Sequence, residues 1–517
     1  MKNQVGYLGI DVGTQGLSIV FCDEEMKVVA TGDGHYEMLP GLADGCYEQS
    51  PDDWAAALRA AMDDLRNKMS KQDRTPEVLA IGISGQMHGE VLADADGNVL
   101  KPVRLWCDAR NEAEGDELTD LFGVKMPKRI TTARWLWTIR NLPEIAKQVA
   151  HMTTPGGWLA FHLTGQWNLG IGDSAGMFPI DQESKGFKKE LLNRFDRLAS
   201  NESGSIPSLG AILPAPRLAG DAAGQLNARG AELMGLPPGI PVAPAEGDQP
   251  AALAGSLIGS AGQVSMSFGT SVCANSVGDK AFSGVSQAVD HFCAADGKPI
   301  NMVWLRNGTT YMNTIVEMFE TIDDAPTGTV FEKAMPKLLQ ASNDCGGVMA
   351  LPFADDEPGL GVSQGGTALL VGLNSSNANV GNVAKAALLS TMFNLKKGSQ
   401  VLADQGFPLS EIILTGGLTR TPELGQILAN VFNTPVSILE SASEGSAWGA
   451  ALTAKYRYQC LNRNQQSWED FLAEHKTGNA TTFAPIAAEV AELVLQFDKY
   501  SRLLNCRQGL EDALGNS

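Results

Sequence analysis

The 517-residue sequence lacks closely spaced cysteines. Its eight cysteines are scattered at positions 22, 46, 107, 273, 293, 345, 460 and 506, and none forms a CxxC pair. Structural zinc sites and small disulfide scaffolds use regularly spaced cysteines, so this pattern argues against both. We expect reduced thiols and a cytoplasmic location.

Long apolar runs and an excess of positive charge are also missing. No apolar run approaches the length that spans a bilayer, and residues 1–4 lead straight into the first predicted strand, leaving no room for a signal peptide. The net charge of −20 argues against nucleic acid or an anionic membrane as a partner. A nucleotide ligand stays open, because Mg²⁺ and backbone N–H groups can offset phosphate charge locally. At this length two domains are expected.

A glycine-rich corner near the N-terminus is the first feature that indicates chemistry. Residues 7–12 form a predicted buried strand, and the corner Gly13-Thr14-Gln15-Gly16 leads into a second strand. Asp11 comes just before the exposed N–H groups of the corner. A carboxylate there suits Mg²⁺ or its waters, while the corner holds phosphate oxygens. The alternative is an ordinary hairpin with a glycine turn.

A similar corner opens the second half of the chain. Gly269-Thr270-Ser271 lies between predicted strands 263–268 and 272–276, about half the chain length after the first corner. Two strand–corner–strand units predict two similar α/β domains that face each other with a phosphate chain between them.

Two polar segments follow predicted strands in the first half. A buried strand, residues 78–84, ends in Gly85-Gln86-Met87-His88-Gly89, and the carboxyl ends of such strands are where open α/β sheets bind ligands. Asp108 and Arg110 follow another short strand. They could bind ligand hydroxyls, or could pair with each other at a helix start.

The strongest break in the chain is the glycine- and proline-rich segment 235–241. We place the domain boundary just after it, which gives domains 1–245 and 246–517. Asp248, in Gly247-Asp248-Gln249, then lies between the first domain and the second glycine corner. A carboxylate there could accept a proton; the alternative is a helix-capping aspartate.

Three features of the C-terminal half complete the pattern. A predicted strand, residues 411–415, opens into Gly416-Gly417, where glycines would let a flat ring such as adenine approach the backbone. A helix of small residues, 443–454, is suited to close packing near the same place. The tail, residues 460–517, includes an amphipathic segment that we expect to pack back on the body, with the first domain as the candidate surface.

Together these segments resemble the FGGY family of carbohydrate kinases, and within it the xylulokinases. The resemblance covers residues 7 to about 455. It rests on six motifs in this order: Gly9–Gln15, Ser84–Gly89, Trp106–Arg110, Gly247–Gln249, Ser267–Ser271 and Thr415–Gly417. No single motif is decisive, but all six in this order are specific. The Gln86-Met87-His88 segment is similar to the ketose-binding segment of xylulokinases.

The resemblance implies an α/β fold of two actin-like, ribonuclease-H-like domains flanking a catalytic cleft. It implies ATP and Mg²⁺ as cofactors and a ketose as acceptor, D-xylulose first, with a homodimer as a common assembly. By position, the resemblance implies Asp248 as catalytic base, the sugar contacts Met87, His88 and Gln249, the nucleotide contacts Gly269, Thr270, Gly416 and Gly417, and Asp11 at the metal. From the residues themselves we add the candidate sugar contacts Gln86, Asp108 and Arg110, the candidate nucleotide contacts Gly13, Thr14, Gln15 and Ser271, and Asp248 as a second metal ligand.

Three departures from the xylulokinase pattern bear on the substrate. Residues 245–249 replace a Gly-Gly-Gly-Asp-Asn segment, residues 353–358 replace Gly-Glu-Arg-Thr-Pro, and Thr415 replaces a third glycine. They leave ribulose, sedoheptulose or another ketose open. A competing class is an actin-like or chaperone-like ATPase switch, in which residues 86–88 and Asp248 would have no purpose. A catalytically dead sugar-binding regulator is disfavoured by the presence of Asp11 and Asp248.

Overall fold

The computed structural model describes residues 2–202, 206–323, 329–439, 445–462, 466–476, 480–507, 509 and 512. The strands of the first half are β1 (Lys2–Val12), β2 (Gly16–Cys22), β3 (Val28–His35), β4 (Glu48–Gln49), β5 (Arg74–Gly85), β6 (Val91–Ala93), β7 (Val103–Arg104), β8 (His151–Thr153), β9 (Asn168–Gly170), β10 (Ala215–Arg217) and β11 (Glu246–Gly247). Its helices are α1 (Pro51–Ser70), α2 (Glu112–Phe122), α3 (Thr131–Asn141), α4 (Pro143–Ala146), α5 (Pro155–Thr164), α6 (Ile171–Met177), α7 (Lys189–Glu202), α8 (Leu209–Ile212) and α9 (Ala228–Met234).

The second half begins with α10 (Asp248–Gly255). Its strands are β12 (Gln263–Phe268), β13 (Val272–Val277), β14 (Val289–Cys293), β15 (Pro299–Leu305), β16 (Met349–Leu351), β17 (Leu369–Val371), β18 (Glu411–Gly416), β19 (Val436–Leu439) and β20 (Ala480–Phe483). The remaining helices are α11 (Thr310–Asp323), α12 (Thr329–Gln340), α13 (Val380–Asp404), α14 (Leu424–Phe432), α15 (Gly445–Leu461), α16 (Trp468–Glu474) and α17 (Ala487–Asn505), with short 3₁₀ helices at Cys345–Gly347, Pro358–Leu360 and Gly417–Arg420.

Two large sheets share one strand pattern, which confirms the predicted two-domain α/β fold. The first has the order β11-β5-β1-β2-β3, and the second contains β19-β18-β12-β13-β15 in the corresponding places. In each, a central strand pairs antiparallel with the next strand and parallel with a later one. Both glycine corners therefore join the central strand to its antiparallel neighbour.

The helix α1 shows how local sequence fixes an element. Ser50 accepts a hydrogen bond from the backbone N–H of Asp52, Pro51 occupies the first turn, and two acidic residues stand at the positive end of the helix. Trp54 and Leu58 belong to the apolar face that the helix buries against the first sheet.

Helices α10 and α15 pack together between the two sheets. A Cβ added at Gly9 of β1 would lie 1.9 Å from the carbonyl oxygen of Ala447, and one added at Gly449 would lie 1.9 Å from that of Ala251. The small residues of α15 thus let its backbone meet both the first sheet and α10. The predicted location of this helix near Gly416-Gly417 stays a prediction. The close backbone contacts of α15 are with β1, β5 and α10.

The C-terminal tail divides between the two domains. Helix α16 joins an apolar cluster that includes Tyr7 of β1 and Tyr456 of α15. Helix α17 instead packs on the second domain, where Tyr500 lies 5.4 Å, between ring centroids, from Phe393 of α13. The expected packing of the amphipathic tail segment on the first domain is therefore wrong for α17. In the described part of the chain, no helix combines the length and apolar character needed to cross a membrane.

Candidate active site

The first glycine corner lies at the carboxyl end of β1, with Asp11 beside it. The Ser84 hydroxyl donates a hydrogen bond to Asp11. Burial raises the pKa of the Asp11 carboxyl, an effect that the Ser84 hydrogen bond opposes. Gly13 N–H donates to the Gly16 carbonyl at 2.9 Å, and the Tyr36 hydroxyl donates to the Gly13 carbonyl at 2.6 Å. These two hydrogen bonds fix the backbone conformation of the corner.

Gln86 supports this corner, and its amide is occupied by protein groups. Its Nε2 donates to Gln49 at 2.9 Å, and its Oε1 accepts from the Thr14 hydroxyl at 3.4 Å. The side chain is 1% exposed. These contacts show that the Gln86 amide helps to hold the corner, and its binding of sugar stays a prediction. Gln15 lies exposed in the corner.

His88 follows β5 and is held in one tautomer. Its Nδ1 lies 2.8 Å from the carbonyl oxygen of Gly176, so Nδ1 carries the proton and donates. Burial, with the nearby Arg129 charge, lowers the pKa of His88 to about 3. The ring is therefore neutral at physiological pH, and Nε2 is an acceptor. Met87 is buried, packed where Gly176 and Gly247 leave room for its side chain.

Asp108 and Arg110 pair with each other. The Arg110 guanidinium donates to Asp108 Oδ2 at 2.7 Å and to Glu48 at 2.5 Å. Asp108 is fully buried and also accepts from the Tyr47 backbone N–H. The structure shows mutual pairing, which is one of the two interpretations left open by the sequence. Direct sugar contact by these two residues stays a prediction. Trp106 in the same segment is 42% exposed and donates from Nε1 to Thr14.

Asp248 is the first residue of α10. Burial, and then the charge of Asp11, raises the pKa of Asp248 to about 7. β11 runs parallel to β5, with Gly247 opposite Gly85, so Asp248 and the Met87-His88 pair leave neighbouring strand ends. Gln249 accepts a hydrogen bond at 3.2 Å from Asn275 of β13, which ties it to the second sheet.

The sequence did not predict a pair of buried carboxyl groups, Glu246 and Asp173, close to Asp248. Glu246 accepts hydrogen bonds from the backbone N–H groups of Gly172 and Asp173, the latter at 3.0 Å. The Thr154 hydroxyl donates to Asp173 at 2.5 Å. Burial raises the pKa of both carboxyls to about 8. The sequence offered one signal, the polar glycine-rich stretch 170–176, whose glycines leave the space that Glu246 fills.

The second corner and the Gly416-Gly417 turn lie side by side, because β12 and β18 are parallel neighbours. Gly416 has φ +75° and ψ −157°, a conformation essentially restricted to glycine. Gly308 N–H donates to the Thr270 carbonyl at 3.0 Å, and Thr309 N–H to that of Gly269 at 2.8 Å. Thr270 is exposed and Ser271 half-buried.

A cavity of about 350 Å³ opens beside these glycines. Helix α11 forms one wall and the start of α14 another. Its lining residues include Gly269, Thr309, Met312, Val316, Phe331, Gly417, Leu418 and Arg420. This mixture of apolar walls, a cation and exposed backbone suits a nucleotide.

Two ribonuclease-H-like domains, each with a glycine corner after its central strand and with Asp248 where the chain passes between them, fit the class of ATP-dependent phosphotransferases. Comparison with known proteins narrows that class. Residues 6–255 match the FGGY family of carbohydrate kinases, N-terminal domain, and residues 264–458 match its C-terminal domain. The chain belongs to this family, and it is a carbohydrate kinase that uses ATP.

Full-length relatives agree with the assignment. The chain is 26% identical to the xylulose kinase of Haemophilus influenzae, with 96% of this chain and 98% of that protein covered. It is 27% identical to the Escherichia coli xylulose kinase, with 87% of this chain and 89% of that protein covered. The crystal structure of a xylulose ("xyloylose") kinase from Brucella ovis matches with TM-score 0.81 and 24% identity, covering 98% of this chain and 99% of that chain. Plasmodium falciparum glycerol kinase with ADP matches with TM-score 0.79 and 19% identity, over 98% and 99%.

Proposed function

We propose that the protein transfers the γ-phosphoryl group of ATP to a ketose hydroxyl, with D-xylulose as substrate and D-xylulose 5-phosphate as product. The observation that carries this proposal is the placement of His88 and Asp248 at neighbouring strand ends. His88 is a neutral hydrogen-bond acceptor whose ring is held in one orientation, and Asp248 is a carboxylate whose pKa is raised to about 7. The relatives named xylulose kinase supply the choice of ketose.

In this proposal Asp248 is the general base. A carboxylate whose pKa lies near the working pH can take the hydroxyl proton as the sugar oxygen attacks the γ-phosphorus. His88 Nε2 accepts a hydrogen bond from a second sugar hydroxyl, and Gln249, tied to Asn275, binds a third. Met87 gives the site an apolar wall.

The nucleotide lies in the cavity beside Gly269 and Gly417, with its phosphates toward Thr270 and Ser271. Gly13, Thr14 and Gln15 face them from the first domain, and Gly416 lets the nucleotide approach the backbone. The charge of Asp11 raises the pKa of Asp248, so two carboxylates lie close enough to interact. That donor set fits Mg²⁺, which is usually held by one or two carboxylates together with phosphates and water. Bound there, Mg²⁺ would offset phosphoryl charge.

An ADP-release assay over a panel of sugars tests the proposal. We expect turnover with D-xylulose, slower turnover with ribulose and sedoheptulose, and much slower turnover with glycerol. Equal rates with glycerol, or no rate with any ketose, would contradict it. We also propose that the protein is cytoplasmic and forms the homodimer that the family resemblance implies. Light scattering at twice the 54.8 kDa chain mass tests the dimer.

A further inference from the structure

One buried arginine, Arg134, joins the segments that carry the proposed sugar site. It lies on α3 and is 0% exposed. Its Nε donates to the Leu105 carbonyl at 3.0 Å, and one terminal nitrogen donates to the Trp106 carbonyl at 2.8 Å. The other terminal nitrogen donates to the carbonyls of His88, at 3.4 Å, and Arg129.

These four carbonyls belong to three separate stretches of backbone. The first follows β5 and carries His88, the second follows β7 and carries Trp106, and the third enters α3 at Arg129. The His88 backbone has φ +68°, in the left-handed region that non-glycine residues rarely adopt. Such a conformation persists only where its surroundings hold it. Arg134 holds the carbonyl side of His88, while Gly176 holds its ring.

Arg129, the third stretch, reaches across to the second domain. Its guanidinium pairs with Asp290 of β14, and Lys125 lies 3.0 Å from the same carboxylate. Arg134 therefore fixes both the residue that would accept a sugar hydroxyl and the start of a contact between the domains.

The charge of Arg134 is satisfied without a carboxylate partner. Among the described residues it forms no ion pair within 4 Å, and carbonyl oxygens take its donors. Burial, with the charge of Arg104 nearby, lowers the pKa of Arg134 to about 9. Burying a charge is costly, and apolar replacements of buried charges are often neutral or stabilising. A guanidinium in this place is therefore better explained by its geometry than by stability.

We propose that Arg134 is a positioning residue for the sugar site: its guanidinium sets His88 and the Trp106 and Arg129 segments in the arrangement that binds the ketose. This inference rests on the proposed function. Lysine cannot replace it, because one ammonium nitrogen cannot span carbonyls that a planar fork reaches from several nitrogens.

The test is Arg134→Lys, which keeps the charge and removes the fork. Arg140→Lys is the matched control, since Arg140 lies on the same helix but pairs with Glu117 and Glu202 on a partly exposed face. We expect the sugar KM of Arg134→Lys to rise about 10-fold or more, while its ATP KM stays within about 2-fold of wild type. The control should change neither.

Three outcomes separate the alternatives. If kcat of Arg134→Lys falls while both KM values stay unchanged, a smaller fraction of the protein molecules is active, and the positioning role is overturned. If Arg134→Lys fails to fold, Arg134→Gln is measured in the same way; if neither variant folds, the contact is a structural requirement and the inference is wrong. A wild-type enzyme with no turnover on any ketose would instead refute the proposed function.

Discussion

The pH dependence of the reaction gives the sharpest prediction from the site. Burial and the Asp11 charge raise the pKa of Asp248 from an ordinary 3.8 to about 7. Only the ionised carboxylate can accept a proton, so activity should fall as pH drops through the raised value. At pH 5 a group with a pKa of about 7 is about 1% ionised, whereas one at 3.8 would be more than about 90% ionised.

The measurement is kcat/KM for D-xylulose from pH 5 to 8.5. At limiting Mg²⁺ we expect an acid limb with its midpoint near 7, falling about tenfold for each pH unit below it. Raising Mg²⁺ should move the midpoint to lower pH, because a nearby cation favours the ionised form. Asp11→Asn should also lower the midpoint, because it removes the charge that raises the Asp248 pKa. A flat profile between pH 5 and 8 would refute the reasoning.

Three further predictions concern single residues. Gly9→Ala should lower the free energy of unfolding by on the order of 1–3 kcal/mol or more, because its Cβ would meet the Ala447 carbonyl. Gly186→Ala is the control: its Cβ would have its nearest atom 3.7 Å away, so the melting temperature should not change. Asp173→Asn should raise the melting temperature more at pH 8.5 than at pH 5. A carboxyl whose folded pKa is raised from 3.8 to about 8 loses its stabilising contribution as pH rises between those two values. Equal melting shifts at both pH values would count against this. His88→Ala should raise the sugar KM more than the ATP KM, and an unchanged sugar KM would return His88 to a structural role.

Much of the fold could be predicted from the sequence because the residue patterns that indicate it are local. The residues before Gly13 and before Gly269 predicted the two central strands, and in the structure Ser50 and Pro51 likewise begin α1 through local contacts. The order of six short motifs then identified the family. Such patterns depend on a residue and its near neighbours, which a sequence displays directly.

The missed features depend on partners far apart in the chain. Gln86 lies in a motif that resembles a ketose-binding segment, yet its amide is taken by Gln49 and Thr14. The small residues of α15 predicted close packing, but not that β1 would be the surface. Asp173 and Glu246 come together only because β9 and β11 lie near each other. The spacing of residues within one segment does not show which residue of a distant segment will be its hydrogen-bond partner.

The roles of the site residues are tested most directly by Asp248→Asn, which keeps the size of the side chain and removes the proton acceptor. Asp116→Asn, an exposed change on α2, is the control. With saturating D-xylulose and ATP, kcat of Asp248→Asn should fall by about 10²–10⁴-fold, with both substrates still bound and no recovery as Mg²⁺ is raised. If Asp248→Asn keeps most of its kcat, or if Mg²⁺ restores it, the assignment of Asp248 as base is wrong.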